Sequence, residues 1–322
     1  MYIGGIHFGP VWGASGVQGF FGEGYSNHTL WRPFGLSFDD MTFVAKTTTL
    51  HANKGNMPLT ERYTPQEWHP KCIIVKPFAG VVLNAVGLSG PGTRALLATN
   101  RWQARREPFF LSFSAIGQTP EDRIAEAITF AELITDERQN FRAPFGLQVN
   151  ISCPNTPHSI QHVAEETESL LAALSTRLFD VPLVVKLSAI TPIEIARDVA
   201  SSSFCAGLCV SNTIPFGALP TYIPWERLFG SRAISPLMAY VGQPGGLSGA
   251  PLLPIVTNWV KRARDIGITK PINAGGGVLT IRGISRLRDA GASSCSIGSI
   301  AILRPWRVAS LIRFAHAIQW ST

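Results

Sequence analysis

The sequence has little charge, no recognisable cysteine pair and no long apolar run. Only 15% of its 322 residues are charged while 45% are hydrophobic, which excludes an intrinsically disordered chain and indicates a large buried core. The five cysteines contain no Cys-x-x-Cys pair, which argues against a disulfide framework and against a zinc site. A reducing, cytoplasmic setting is therefore expected.

Targeting and membrane signals are also missing. No apolar run approaches the ~18 residues that a membrane helix needs, and residues 1–5 lack the basic and apolar regions of a signal peptide. The net charge of +7 comes from dispersed Lys and Arg without interleaved aromatic residues, so neither nucleic acid nor a membrane is expected as a partner. A positive charge does suit an anionic small molecule.

Short apolar runs of strand length alternate with helical patterns along most of the chain. The strand-like runs are residues 10–16, 41–49, 81–88, 108–114, 145–151, 182–187, 207–213, 271–277 and 294–299. Helical spacing follows at residues 119–131, 163–178, 191–200, 251–266, 281–290 and 305–318. This alternation predicts one α/β domain over residues 1–322, a (β/α)8 TIM barrel with inserted loops at the C-terminal face of the strands.

Two features do not fit a plain barrel. There is one strand-like run too many, and we expect the run around Asn84 to lie outside the ring. Residues 215–245 show no clear periodicity, and a loop of that length is usually functional or mobile. The alternative fold is an open doubly wound sheet, which lacks support because no Gly-x-Gly-x-x-Gly follows the first strand.

The most informative stretch is Asn150-Ile-Ser-Cys153-Pro-Asn155, at the end of an apolar run. Proline cannot donate to a sheet, so the strand must stop there. Two carboxamides and a thiol then gather at the carboxyl end of a buried strand, where α/β proteins bind ligands. The thiol could accept a proton as a base. For a single cysteine considered alone, a small buried apolar residue is the more frequent interpretation.

Other strand ends carry polar side chains as well: Lys46, Asn84, Asn150, Lys186, Asn212 and Thr213. Buried lysines are costly without an anion, so this set favours an anionic, planar, amide-bearing ligand. Glycine clusters end the last two strands, at residues 275–277 and 298–299, and a further cluster lies at residues 245–249. Their exposed amides suit a phosphorylated cofactor, although each cluster alone is more often a tight turn.

In this order, the motifs resemble the class 1 dihydroorotate dehydrogenases, which use a cysteine base. The resemblance covers nearly the whole chain and rests on Ala14-Ser-Gly16, Lys46-Thr-Thr, Asn84-Ala-Val-Gly-Leu88, Leu111-Ser-Phe-Ser114, the Asn150–Asn155 motif, Val185-Lys-Leu, Ser211-Asn-Thr213 and the three glycine clusters. It implies FMN-dependent oxidation of dihydroorotate to orotate in de novo pyrimidine synthesis, with the proton passing to Cys153 and the hydride to FMN N5. A homodimer is also implied.

The resemblance implies roles for individual residues. The substrate would be held by Lys46, Asn84, Val86, Gly87, Leu88, Asn150, Asn155, Asn212 and Thr213. FMN would be held by Ala14, Ser15, Gly16, Lys46, Thr47, Asn84, Asn150, Lys186, Ser248, Gly249, Gly275, Gly276, Gly277, Gly298 and Ser299.

The electron acceptor and the substrate stay open at this point. The motifs at Asn84 and at residues 245–249 resemble the subclass that reduces NAD through a separate iron–sulfur flavoprotein subunit, which is favoured over fumarate. Residues 54–62 depart from the proline-rich segment usual in that subclass. The alternatives are oxidation or reduction of another dihydropyrimidine, such as dihydrouracil, and a flavin-free barrel enzyme that binds a substrate phosphate.

Overall fold

The computed structural model describes residues 1–151 and 160–321. Its strands are β1 (Tyr2–Ile3), β2 (Ile6–His7), β3 (Val11–Gly13), β4 (Ile73–Lys76), β5 (Val81–Asn84), β6 (Phe109–Phe113), β7 (Phe145–Asn150), β8 (Leu183–Ser188), β9 (Cys205–Asn212), β10 (Ile214–Pro215), β11 (Gly246–Gly249), β12 (Ile272–Gly275) and β13 (Ser294–Ile297).

The helices are α1 (Ser26–Trp31), α2 (Thr93–Leu97), α3 (Pro120–Asp136), α4 (Ile160–Ser175), α5 (Ile193–Ser201), α6 (Trp225–Phe229), α7 (Met238–Val241), α8 (Leu252–Asp265), α9 (Ile281–Asp289), α10 (Ile300–Leu303) and α11 (Val308–Ala317). Single 3-10 turns lie at Arg32–Phe34, Arg138–Asn140 and Pro305–Arg307. In the part of the chain just defined, no helix is long and apolar enough to cross a membrane.

A curved sheet of seven parallel strands runs in the order β3-β13-β12-β9-β8-β7-β6. Residues 41–49 complete the ring with isolated parallel bridges, from Thr42 to Trp12 of β3 and from Val44 to Phe110 of β6. The predicted (β/α)8 barrel is confirmed. Its second strand position, formed by residues 41–49, is joined to its neighbours by isolated bridges and not by a continuous ladder of hydrogen bonds.

The extra run lies outside the ring, as expected. It forms β5, which pairs antiparallel with β4 and β11 in a small sheet of order β10-β11-β5-β4. Residues 215–245 cover this sheet through α6 and α7, and bury Trp225 and Leu237 against Leu83 and Leu247. The segment without periodicity therefore contributes to a second apolar core beside the mouth of the barrel.

The helix patterns are confirmed by the structure, as α3 illustrates. Thr119 Oγ1 accepts a hydrogen bond from the Asp122 amide, and the Asp122 carboxylate accepts one from the Thr119 amide, both at 3.1 Å. This capping box, with Pro120 in the first turn, satisfies amides that a helix start leaves unpaired. The buried face then packs on the barrel, where the ring of Phe130 stacks on Phe113 at 4.0 Å.

The amino end of the barrel is filled by apolar side chains. The hairpin of β1 and β2 lies here, and the ring of Phe110 packs 4.1 Å from Phe8 and 4.4 Å from Trp12. Val44 and Val184 complete this cluster. Among the described residues this end of the barrel is packed with apolar side chains, so the carboxyl end of the strands is where a ligand can enter.

Candidate active site

A cavity of about 1150 Å³ lies at the carboxyl ends of the barrel strands, beside the small sheet. Most of the predicted site residues line it together, namely Ala14, Ser15, Gly16, Lys46, Thr47, Asn84, Val86, Gly87, Leu88, Asn150, Lys186, Asn212, Thr213, Ser248, Gly276, Gly277, Gly298 and Ser299. Cys153 and Asn155 lie outside the described residues. Gly249 and Gly275 do not belong to the lining.

The carboxamides on β7 and β9 are joined to each other. Asn212 Nδ2 donates to Asn150 Oδ1 at 3.3 Å, while the Thr213 amide donates to Asn212 Oδ1 at 3.0 Å. Ser114 Oγ donates to the Asn150 carbonyl at 2.9 Å. The first two bonds set the orientation of both carboxamides, so the pair presents donors and acceptors in set positions, while the bond from Ser114 holds the main chain of Asn150.

Lys46 is a buried cation, 7% exposed, whose Nζ donates to the Ser89 carbonyl and lies 4.8 Å from the centroid of the Phe20 ring. Among the described residues, no carboxylate lies within 4 Å of its ammonium. Burial lowers the pKa of Lys46 to about 8, and Cys72 partly opposes that shift. An anion bound in the cavity would compensate the buried charge.

Lys186 lies on β8, with Asn150 beside it on β7 and Cys209 on β9. Burial lowers the pKa of Lys186, while the neighbouring Cys209 raises it. Burial in turn raises the pKa of the Cys209 thiol to about 11. Two lysines and two linked carboxamides thus share one wall of the cavity.

Glycines shape the adjoining part of the cavity, after β12, which pairs with β9. Gly276 and Gly277 have positive φ of 118° and 71°, and the amides of residues 276–278 have no protein acceptor within the described part of the chain. A Cβ on Gly277 would lie 2.5 Å from the Gly249 carbonyl. Only glycine allows this approach, so Gly249 supports the cradle from behind without lining the cavity.

The turn at Ala14–Ser15–Gly16 is held by three hydrogen bonds to other parts of the chain. The Ala14 amide donates to the Ile297 carbonyl at 2.8 Å, and Ser15 Oγ donates to the Ala45 carbonyl at 2.9 Å. Tyr25 donates through its hydroxyl to the Gly16 carbonyl. The turn therefore has a fixed position at the cavity wall.

Comparison with known proteins shows the family of this chain. The sequence model of the family described as "Dihydroorotate dehydrogenase" matches residues 3–313. The chain belongs to the dihydroorotate dehydrogenase family. No curated protein matches it. A crystal structure of ligand-free type DHODH from Eimeria tenella is similar over 98% of this chain and 86% of that one, with a TM-score of 0.69 and 19% identity. At that identity the likeness shows a shared fold.

Several side chains that line the cavity were not predicted from the sequence. Asn53 and Asn56 line it from the loop after the second barrel position, and Trp68 follows in the same loop. His28 also lines it; its Nδ1 accepts from the Tyr25 amide at 3.3 Å, and burial lowers its pKa to about 4. A lone histidine gives no sequence pattern, but two asparagines on either side of Gly55 are a turn signal that could have been followed.

Proposed function

We propose that this member of the dihydroorotate dehydrogenase family oxidises dihydroorotate to orotate with FMN bound in the cavity. The observation that carries the proposal is the buried Lys46 ammonium, without a carboxylate partner in the described residues, in the same cavity as the linked carboxamides of Asn150 and Asn212. A flat, amide-bearing carboxylate matches this combination of charge and hydrogen-bonding groups.

The lining also fits FMN. The amides of residues 276–278, which have no acceptor among the described residues, suit a phosphate. The partly buried Lys186 suits an electron-rich ring system. Ala14, Ser15, Gly16, Thr47, Ser248, Gly298 and Ser299 would complete the cofactor site, with Gly249 and Gly275 behind it. When bound, FMN would supply the acceptor for the hydride.

The chain's own residues would then bind the substrate and move one proton. The Lys46 ammonium would pair with the substrate carboxylate, and Asn84, Asn150 and Asn212 would hydrogen-bond the pyrimidine amides. Cys153 would accept the proton from C5, because a thiol near cations has a lowered pKa and approaches the strength that a base needs. This role is supported by its place in the Asn150–Asn155 motif.

The wider setting follows the same resemblance. We infer a cytoplasmic enzyme of pyrimidine synthesis that forms a homodimer. Electrons would pass to NAD through an iron–sulfur flavoprotein subunit, since the motifs at Asn84 and at residues 245–249 resemble that subclass. Fast turnover with fumarate by this chain alone would contradict the acceptor assignment.

The proposal is tested by the colour of the purified protein. We expect a flavin spectrum, bleached by anaerobic dihydroorotate but not by dihydrouracil. Colourless protein that cannot be reconstituted with FMN would instead favour a flavin-free enzyme. Bleaching by dihydrouracil alone would move the substrate to another dihydropyrimidine.

A matched pair of lysine variants sharpens the test. Lys46→Met removes the cavity cation and should weaken orotate binding strongly. Lys270→Met removes a half-buried lysine whose Nζ donates to the Cys205 carbonyl at 2.7 Å, at the amino end of β9, and should leave binding unchanged. If the two variants bound orotate with equal affinity, Lys46 would have no role in substrate recognition.

A further inference from the structure

The turn after β5 has an unusual backbone. Gly87 and Leu88 both have positive φ, at 68° and 57°. The amides of residues 86–89 have no acceptor among the residues that the structure describes, and Val86, Gly87 and Leu88 line the cavity. Consecutive amides of such a turn form a concave site for an anion or a carbonyl oxygen.

The carbonyls of residues 85–88 all accept hydrogen bonds from two asparagines. The Asn56 side chain donates through Nδ2 to the Ala85 carbonyl at 2.8 Å. The main-chain amide of Asn56 donates to the Val86 carbonyl at 2.9 Å. Asn53 Nδ2 donates to the carbonyl of Gly87 at 2.8 Å and to that of Leu88 at 3.3 Å. Four consecutive carbonyls are thus held by the neighbouring loop.

The contact between the two segments is close along its length. Asn53 and Gly90 exchange two backbone hydrogen bonds at 2.9 Å, and the Met57 amide donates to Ser89 Oγ at 2.9 Å. Gly55 has a φ of 48°, and a Cβ there would lie 2.6 Å from the Val86 carbonyl. Glycine is therefore required for the two asparagines to reach the turn.

We propose that Asn53 and Asn56, here named the asparagine clamp, are positioning residues that set the affinity of the site for its pyrimidine. By holding the carbonyls of residues 85–88, the clamp leaves the amides of residues 86–89 to the ligand. Lys46 joins the same arrangement, because its Nζ donates to the Ser89 carbonyl. The inference rests on the proposed function, since it takes orotate or dihydroorotate as the ligand.

The test replaces each clamp residue in the FMN-loaded protein. Asn56→Ala and Asn53→Ala each remove side-chain bonds to the turn, and Asn56→Asp removes the donor while keeping the shape. Asn140→Ala is the control, because that carboxamide donates to Glu137 at 2.8 Å on the surface. Orotate affinity is measured by titration of the flavin spectrum, and KM and kcat by flavin reduction with dihydroorotate.

We expect each clamp variant to raise the orotate Kd and the KM by roughly 10-fold, the effect of losing a hydrogen bond that fixes a binding group. The value of kcat and the flavin content should stay close to those of the unmodified protein, and Asn140→Ala should match it throughout.

Three outcomes would overturn the inference. Unchanged orotate affinity in both Asn56→Asp and Asn53→Ala would show that the clamp does not set the affinity, and it would leave the proposed function unaffected. Loss of flavin or of kcat at constant KM shows a general structural role instead. Failure of the unmodified protein to bind orotate overturns the proposed substrate, and the clamp's role in binding it as well.

Discussion

The two ends of the same barrel strands differ completely in character. Val44 is followed two residues later by Lys46 at the second barrel position, and Val184 is followed two residues later by Lys186 on β8. Residues two apart on a strand share a face, so each strand changes from apolar to charged within about 7 Å of its length. The amino end is a closed aromatic core, whereas the carboxyl end is an open polar cavity.

This difference separates stability from function along one strand. The core at the amino end contributes apolar burial, while the buried Lys46 and the partly buried Lys186 at the carboxyl end cost free energy until a ligand compensates them. Substitutions near the amino end should therefore lower the free energy of unfolding, and substitutions near the carboxyl end should lower binding or rate.

The largest effect is expected at Cys153. Cys153→Ala removes the proposed base but leaves Lys46 and the carboxamides in place, so flavin reduction by dihydroorotate should fall by roughly 10²–10⁴. Orotate affinity should hold within a few-fold, because no binding group is lost. Stopped-flow measurement of flavin reduction provides the rate.

The control is a thiol at the opposite end. Cys205 begins β9 and is fully buried, with Sγ 3.4 Å from the Gly207 carbonyl. Cys205→Ala should cost a little stability and leave the reduction rate unchanged. A Cys153→Ala protein that still reduces flavin at the normal rate would exclude Cys153 as the base.

The next effect is on stability. Phe110→Ala opens a cavity between Phe8 and Trp12, and we expect a loss of about 3–5 kcal/mol in the free energy of unfolding. Urea unfolding at fixed FMN concentration measures it. The folded protein should keep its orotate affinity, because the cavity lies at the other end of the strand.

Ser114→Ala is the matching substitution at the carboxyl end, four residues after Phe110 in the chain. It removes the bond from Ser114 Oγ to the Asn150 carbonyl, so it should cost only about 1 kcal/mol of stability while loosening Asn150. If both variants changed stability and affinity in the same proportion, the division between the two ends of the barrel would be wrong.

The sequence predicts the barrel well because its signals are local. Apolar runs such as residues 145–150 and caps such as Thr119 are determined by residues close in the chain, and both appear where expected. The polar strand ends, Lys46 and Asn150 among them, meet in one cavity because parallel strands place their carboxyl ends at one face.

The small sheet and the asparagine clamp could not be predicted in this way. Strand β5 pairs Asn84 with Gly246, across 162 residues of chain, and no periodicity reports such a distant partner. Strand β11 is Gly-Leu-Ser-Gly, and its glycines are more typical of a tight turn or a phosphate-binding patch than of a strand. The clamp depends on side-chain bonds between two turns, which become visible only once β5 is placed outside the ring.

The remaining predicted effect is the pH dependence of orotate binding through Lys46. Because burial lowers its pKa to about 8, the side chain is charged below that pH and loses its proton above it. A carboxylate binds the charged form, so the orotate Kd should be constant well below pH 8, begin to rise near that pH, and then increase by at most 10-fold per pH unit. Calorimetric titration of the Cys153→Ala protein measures this without a contribution from the Cys153 thiol.

The same pKa has the opposite consequence for the ligand-free protein. The folded state holds Lys46 at a pKa below the ordinary 10.5, so between pH 8 and 10.5 the unfolded chain binds more protons. The contribution of Lys46 to the free energy of unfolding should therefore increase with pH in that window, while orotate affinity decreases. Lys46→Met should abolish both trends. If Lys46→Met kept the loss of affinity above pH 8, another group would be the one that binds the carboxylate.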